Sequence, residues 1–137
     1  MADFIVLIPS RMESTRLPGK PLKKIGNKTL IQRVAEQANK SKAKEVIVAS
    51  DSEEIISHCT NNNIKTIITN SGHETGSDRI AEAAKKLNLD NDQIIVNVQG
   101  DEPFVDPDDI NNLYDLMINQ SINMATLYSA LNSNDLK

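Results

Sequence analysis

Arg11, Arg16 and Lys20 fall close together in the stretch IPSRMESTRLPGKPL, residues 8 to 22, and Pro18, Gly19 and Pro21 shape the backbone around the last of them. Cations converging on one short loop suit a compact polyanion such as a nucleotide triphosphate, although the same composition also fits a solvated basic surface loop. Neither standard phosphate loop accounts for it. The G-x-x-x-x-G-K-[ST] pattern needs glycine where Ser14 stands and a hydroxyl where Pro21 stands, and G-x-G-x-x-G finds only Gly19 and then Gly26.

A second chemical stretch is GDEP, where Asp101 and Glu102 follow the apolar run Ile94–Val98. A carboxylate at the end of a strand holds magnesium through oxygen and shares it with substrate phosphates. Gly100, Asp101 and Pro103 are equally good turn formers. A third stretch, HETGSDR from His73 to Arg79, leads into a helical pattern and offers free backbone amides for an anion or a base, with Ser77 alternatively a simple cap. His73 has no second histidine at metal spacing, since His58 belongs to the preceding helix, which argues against zinc. In ASDSEE, Ser50 with Glu53 and Asp51 with Glu54 have capping-box spacing. Asp106-Pro107 reads as a helix cap followed by proline at the first helical position. Cys59 falls beside Ile55 and Ile56 at helical spacing and lacks a base partner nearby, so a buried thiol is expected rather than a nucleophile.

These stretches need elements to hold them. Phe4–Ile8, Val46–Ala49, Thr66–Thr69, Ile94–Val98 and Met124–Tyr128 are short aliphatic runs of the kind that form strands covered on both faces. Between them lie four amphipathic patterns: Leu30, Ile31, Val34, Ala35 and Ala38; Ile55, Ile56 and Cys59; Ile80, Ala81, Ala84 and Leu87; Ile110, Leu113 and Met117. The alternation predicts an α/β fold, a doubly wound, mostly parallel sheet with helices on both faces and right-handed crossovers. Ligands of such sheets bind beyond the carboxyl ends of the strands, which is where the loops above fall. The chain ends at NSNDLK with no helix after the fifth strand, so the fold is expected to be truncated at its C-terminal end.

Composition narrows the partners. The 137 residues fit one domain. Residues 11–28 carry five net positive charges in a chain whose formal charge is -4, so the positive charge is local and nucleic acid is not the expected partner. Phe4–Ile8 is too short for a signal-peptide core or a membrane span. With the single Cys59 excluding an internal disulfide framework, a reducing, cytoplasmic setting is expected.

Taken in order, IPSRMESTRLPGKPL, VASD, HETGSDR and NVQGDEP closely resemble the N-terminal part of the 3-deoxy-manno-octulosonate cytidylyltransferase family, the CMP-KDO synthetases. The resemblance implies a Rossmann-like nucleotidyltransferase fold, with residues 1–137 as the nucleotide-binding part. It implies transfer of CMP from CTP to the anomeric hydroxyl of an eight-carbon acidic sugar, with release of pyrophosphate and a requirement for Mg2+, for lipopolysaccharide synthesis. Arg11, Lys20 and Asp101 would be the catalytic residues: Arg11 and Lys20, with Arg16, embrace the triphosphate, and Asp101 carries magnesium. Pro9, Ser10, Ser50, Asp51, Gly76, Ser77 and Arg79 would frame the nucleoside, and Gln99 would lie near the sugar or the nucleotide. Family members commonly have alanine for Ser10, threonine for Ser50, and serine-glycine-threonine for Thr75-Gly76-Ser77, all small changes.

The family's C-terminal half supplies a second metal-binding aspartate, much of the sugar pocket and the dimer interface. The resemblance therefore implies a homodimer for the full-length protein, and little or no turnover by residues 1–137 alone. Acylneuraminate cytidylyltransferases are a related alternative, with STRLPGKPL and NVQGDEP favouring the eight-carbon enzyme. A non-catalytic nucleotide-binding or interaction module is the alternative from another class.

Overall fold

The computed structural model describes residues 3–12, 20–70, 76–89, 92–120 and 124–127. Five strands form one parallel sheet: β1 (Phe4–Ser10), β4 (Glu45–Ser50), β5 (Lys65–Ile68), β6 (Ile94–Val98) and β7 (Met124–Leu127), in the order β5-β4-β1-β6-β7. These are the five runs anticipated from the sequence, each to within a few residues. A separate two-stranded antiparallel ribbon, β2 (Lys24–Ile25) with β3 (Lys28–Thr29), follows a single 3-10 turn at Lys20–Leu22. Its two-residue turn is Gly26-Asn27, and Gly26 takes the positive φ of 75° that a hairpin of this kind requires at its first central position.

β1 is the middle strand and all seven of its residues are buried. Phe4, Val6 and Ile8 face one core, while Ile5 and Leu7 face the other. That alternation explains the unbroken apolar run, because both faces of a central parallel strand are covered. Each such side chain contributes about 1.5–3 kcal/mol through burial. The first core is closed by α1 (Leu30–Asn39), α2 (Glu53–Asn61) and α4 (Pro107–Gln120), and the second by α3 (Gly76–Lys86).

The helices begin where short-range chemistry permits. Thr29 caps α1 in a reciprocal box with Gln32: the Gln32 N–H donates to the Thr29 hydroxyl at 3.3 Å, and the Thr29 N–H donates to the Gln32 side-chain oxygen at 3.0 Å. Asp106 caps α4 as expected, accepting from the Asp108 N–H at 2.9 Å, with Pro107 as the first helical residue. At α2 the expectation needs correcting. The cap is Ser52, whose hydroxyl accepts from the Ile55 N–H, rather than Ser50 or Asp51. Ser50 is still in the β4 ladder, opposite Ser10, and cannot also supply the helix entry. Asn63 and Asn88, each just beyond a helix end, adopt the left-handed conformation that asparagine tolerates.

One connection departs from the expected handedness. β4 lies to one side of β1 and β7 to the other, yet α1 and α4 cover the same face. The Phe4 and Tyr114 rings stack there at 4.6 Å, seating α4 beside α1. The step from β6 through α4 to β7 therefore has the opposite hand to the step from β1 through α1 to β4, an exception to the usual rule.

Candidate functional site

Three neighbouring strands lead into charged residues at the carboxyl edge of the sheet. β4 ends in Ser50-Asp51, β1 in Ser10-Arg11, and β6 runs through Gln99 to Gly100-Asp101. Ser10 and Ser50 are register partners. Gly100 closes against β1 so tightly that a Cβ there would stand 2.7 Å from the Pro9 carbonyl oxygen. Only glycine permits that approach, which fixes Asp101 beside the end of β1. Pro9 and Ser10 are themselves buried strand residues, and the Ser10 hydroxyl is buried without a hydrogen-bond partner among the described residues. The Ser50 hydroxyl accepts from the Ser52 N–H at 3.1 Å.

Arg11 is exposed directly at the strand end. Lys20, in the 3-10 turn, brings its ammonium to 3.8 Å from an Asp101 carboxylate oxygen. The turn is braced by the Lys23 N–H donating to the Lys20 carbonyl and by the Leu30 N–H donating to the Lys23 carbonyl, which ties Lys20 to the start of α1. Both side chains of the Lys20–Asp101 pair remain largely open to solvent. An exposed pair at this distance contributes at most about 1 kcal/mol, so either charge can exchange its partner for a ligand at little cost. The loop carrying Asp101 and Glu102 is an ordered turn, with the Glu102 N–H donating to the Gln99 carbonyl and the Val105 N–H to the Glu102 carbonyl. Asp101 is thus both a turn residue and an accessible oxygen donor.

A second cation–carboxylate pair lies on the other side of β1. Arg79 is buried, 3% exposed as a residue, and its guanidinium stands 3.8 Å from the Asp51 carboxylate and donates to the Thr69 hydroxyl and the Asn70 carbonyl. Thr69 in turn donates its N–H to the Ser50 carbonyl at 2.8 Å. The ends of β4 and β5 and the first turn of α3 are thereby joined around one buried charge. Gly76 and Ser77 open α3.

The structure therefore gathers Pro9, Ser10, Arg11, Lys20, Ser50, Asp51, Gly76, Arg79, Gln99 and Asp101 at one edge of the sheet or at the loops and helix start that follow its strands. Arg16 and His73 lie outside the described residues. His58 meets the Thr29 hydroxyl at 2.8 Å, joining α2 to the α1 cap. Cys59 is fully buried and its thiol is pushed up to about 11 by desolvation, in line with a structural role. Thr69, which completes the Arg79 cluster, was not anticipated; its position at the end of a strand run is its sole signal in the sequence.

Magnesium fits this donor set in a particular way. Among the described residues no three His, Cys, Asp or Glu side chains form a metal-holding group. Asp101 offers a single open carboxylate at the edge where Arg11 and Lys20 are also open, which suits a cation that takes one or two carboxylates and completes its shell with phosphates and water. Among the described residues no helix is long and apolar enough to cross a membrane.

The family model described as cytidylyltransferase matches residues 5–135. A 3-deoxy-manno-octulosonate cytidylyltransferase from Neisseria gonorrhoeae is 46% identical over 126 residues, covering 92% of this chain and 50% of that protein. One from Polynucleobacter asymbioticus is 51% identical over 111 residues, 81% of this chain and 44% of that protein. Among solved structures, CMP:2-keto-3-deoxy-manno-octonic acid synthetase complexed with CTP superposes with a TM-score of 0.81 at 37% identity, over 88% of this chain and 49% of that one. The chain spans about half the length of the curated relatives it matches.

Proposed function

The chain belongs to the cytidylyltransferase family, and from that premise we propose that it is the CTP-binding part of a 3-deoxy-manno-octulosonate cytidylyltransferase. The reaction transfers CMP from CTP to the anomeric hydroxyl of the eight-carbon acid and releases pyrophosphate, activating the sugar for lipopolysaccharide synthesis in the cytoplasm. The observation that carries this reading is the meeting of Lys20 and Asp101 at the carboxyl edge of the sheet, 3.8 Å apart and both open to solvent.

The division of labour follows from charge. Transfer of a nucleotidyl group needs orientation and neutralisation more than a covalent residue, because the acceptor hydroxyl supplies the nucleophile. Lys20 and Arg11, with Arg16, hold the triphosphate and offset the charge that develops at the α-phosphate and on the departing pyrophosphate. Asp101 holds magnesium, which when bound neutralises phosphate oxygens and orients them. Backbone groups around Pro9 and Ser10, the Ser50-Asp51 end of β4 and the start of α3 at Gly76 and Ser77 receive the nucleoside, and Gln99 lies toward the sugar. The whole enzyme acts as a homodimer in this reading, with the remaining sugar contacts outside these 137 residues.

Two features favour this reading over the nine-carbon alternative: the quoted STRLPGKPL and NVQGDEP stretches, and relatives at 46% and 51% identity that carry the eight-carbon name. Calorimetric titration of CTP, UTP and ATP into the protein with magnesium tests it. Selective binding of CTP is expected. A folded protein that binds none of the three, or binds them alike, overturns it.

A further inference from the structure

One face of α3 grips the end of β5 with consecutive polar side chains. Arg79 donates to the Thr69 hydroxyl and the Asn70 carbonyl. Glu82 accepts from the Asn70 N–H at 3.0 and 2.9 Å through its two oxygens. Lys86 donates to the Ile68 carbonyl at 3.1 Å and pairs with Glu82 at 3.1 Å. Residues 79, 82 and 86 are spaced by three and four, which puts them along one stripe of the helix. The stripe satisfies both backbone groups of Asn70, so the chain leaving β5 is held in a single course. Arg79 extends the same clamp across to Asp51 at the end of β4.

The burial of Arg79 separates two roles for it. A residue that bound phosphate or base directly would need open N–H groups, whereas Arg79 is buried and its guanidinium faces three acceptors of the protein itself. Asp51 is the more accessible member, its side chain 23% exposed against 4% for Arg79. A carboxylate at a strand end, pinned from beneath by a buried cation, keeps acceptor capacity for a hydroxyl or amino group above it. Resting on the CTP reading, we propose that Arg79 is a positioning residue: it does not touch the nucleotide but orients Asp51 and the Thr69–Asn70 segment to receive the nucleoside part of CTP. The clamp formed by Glu82 and Lys86 is the anchor from which it acts.

A double-mutant cycle on CTP affinity, measured with magnesium below the unfolding temperature of every variant, tests this. Arg79→Lys keeps the charge but not the forked geometry and is expected to weaken CTP about tenfold. In an Asp51→Ala background the same change is expected to weaken CTP by only about threefold, the part of its effect that runs through Thr69 and Asn70 rather than through Asp51. Thr69→Val keeps the volume and removes the hydroxyl that Arg79 grips, and is expected to weaken CTP about threefold without Arg79 being altered. Wild-type affinity in both Arg79→Lys and Thr69→Val overturns the proposal while leaving the CTP reading intact. Fully additive losses for Arg79 and Asp51 also overturn it, by showing that Arg79 does not act through Asp51. Absence of CTP binding by the folded wild type overturns both together.

Discussion

Two cation–carboxylate pairs flank β1 at the same separation, 3.8 Å, and the environment gives them opposite meanings. Lys20 and Asp101 are 43% and 59% exposed in their side chains and share the space with solvent. Arg79 and Asp51 are 4% and 23% exposed, and Arg79 is further bonded to Thr69 and Asn70. Distance alone would class them together. Solvent makes the first pair exchangeable and burial fixes Arg79 in the second, because leaving a buried charge without its partners carries a desolvation penalty that an exposed one escapes.

The largest change should come from breaking the buried pair. Arg79→Met fills similar space but abandons Asp51, the Thr69 hydroxyl and the Asn70 carbonyl, and should lower stability by about 2–4 kcal/mol in urea unfolding. A loss below about 0.5 kcal/mol would place Arg79 in the same class as Lys20. Gly100→Ala tests the mount of the exposed pair: the new Cβ meets the Pro9 carbonyl oxygen at 2.7 Å, a backbone atom that cannot swing aside. A destabilisation of about 1–3 kcal/mol is expected, together with weaker CTP binding as Asp101 shifts. An unchanged unfolding midpoint would show that the β1 and β6 ends are not held in close contact.

Ser10→Ala should act in the other direction. It removes a buried hydroxyl that has no partner among the described residues and leaves the backbone pairing with Ser50 untouched. Thermal or urea unfolding should show a gain of about 1 kcal/mol, with CTP affinity unchanged under the proposal that backbone groups make the contact there. A loss of stability would mean that the hydroxyl is paired after all.

The sequence made the sheet legible because a central parallel strand must be apolar on both faces, and Phe4–Ile8 and Ile94–Val98 meet that demand. It made Asp106-Pro107 legible as a cap because both residues act on their immediate neighbours. Ser52 was missed for the same local reason turned around: Ser50 and Asp51 have glutamates at the better spacing, but β4 runs one residue further than the apolar run suggests and keeps Ser50 for itself. The β2–β3 ribbon carried a readable Gly26-Asn27 turn, masked by the short length of its strands. The burial of Arg79 and the placing of α4 beside α1 depend on which face each helix covers, and an amphipathic stripe does not encode that. Lys20 and Asp101 were each picked out as chemical residues, yet their meeting is a property of strand order rather than of either stretch.

In the proposed reading Lys20 is held loosely so that it can serve a nucleotide. The most direct test of this is the calorimetric affinity of CTP with magnesium for Lys20→Ala against the wild type, with a urea unfolding curve for each. Binding should weaken by about tenfold to a hundredfold, as expected for a lost charged contact, while the unfolding midpoint does not move. Undiminished CTP affinity in a folded Lys20→Ala protein would contradict it.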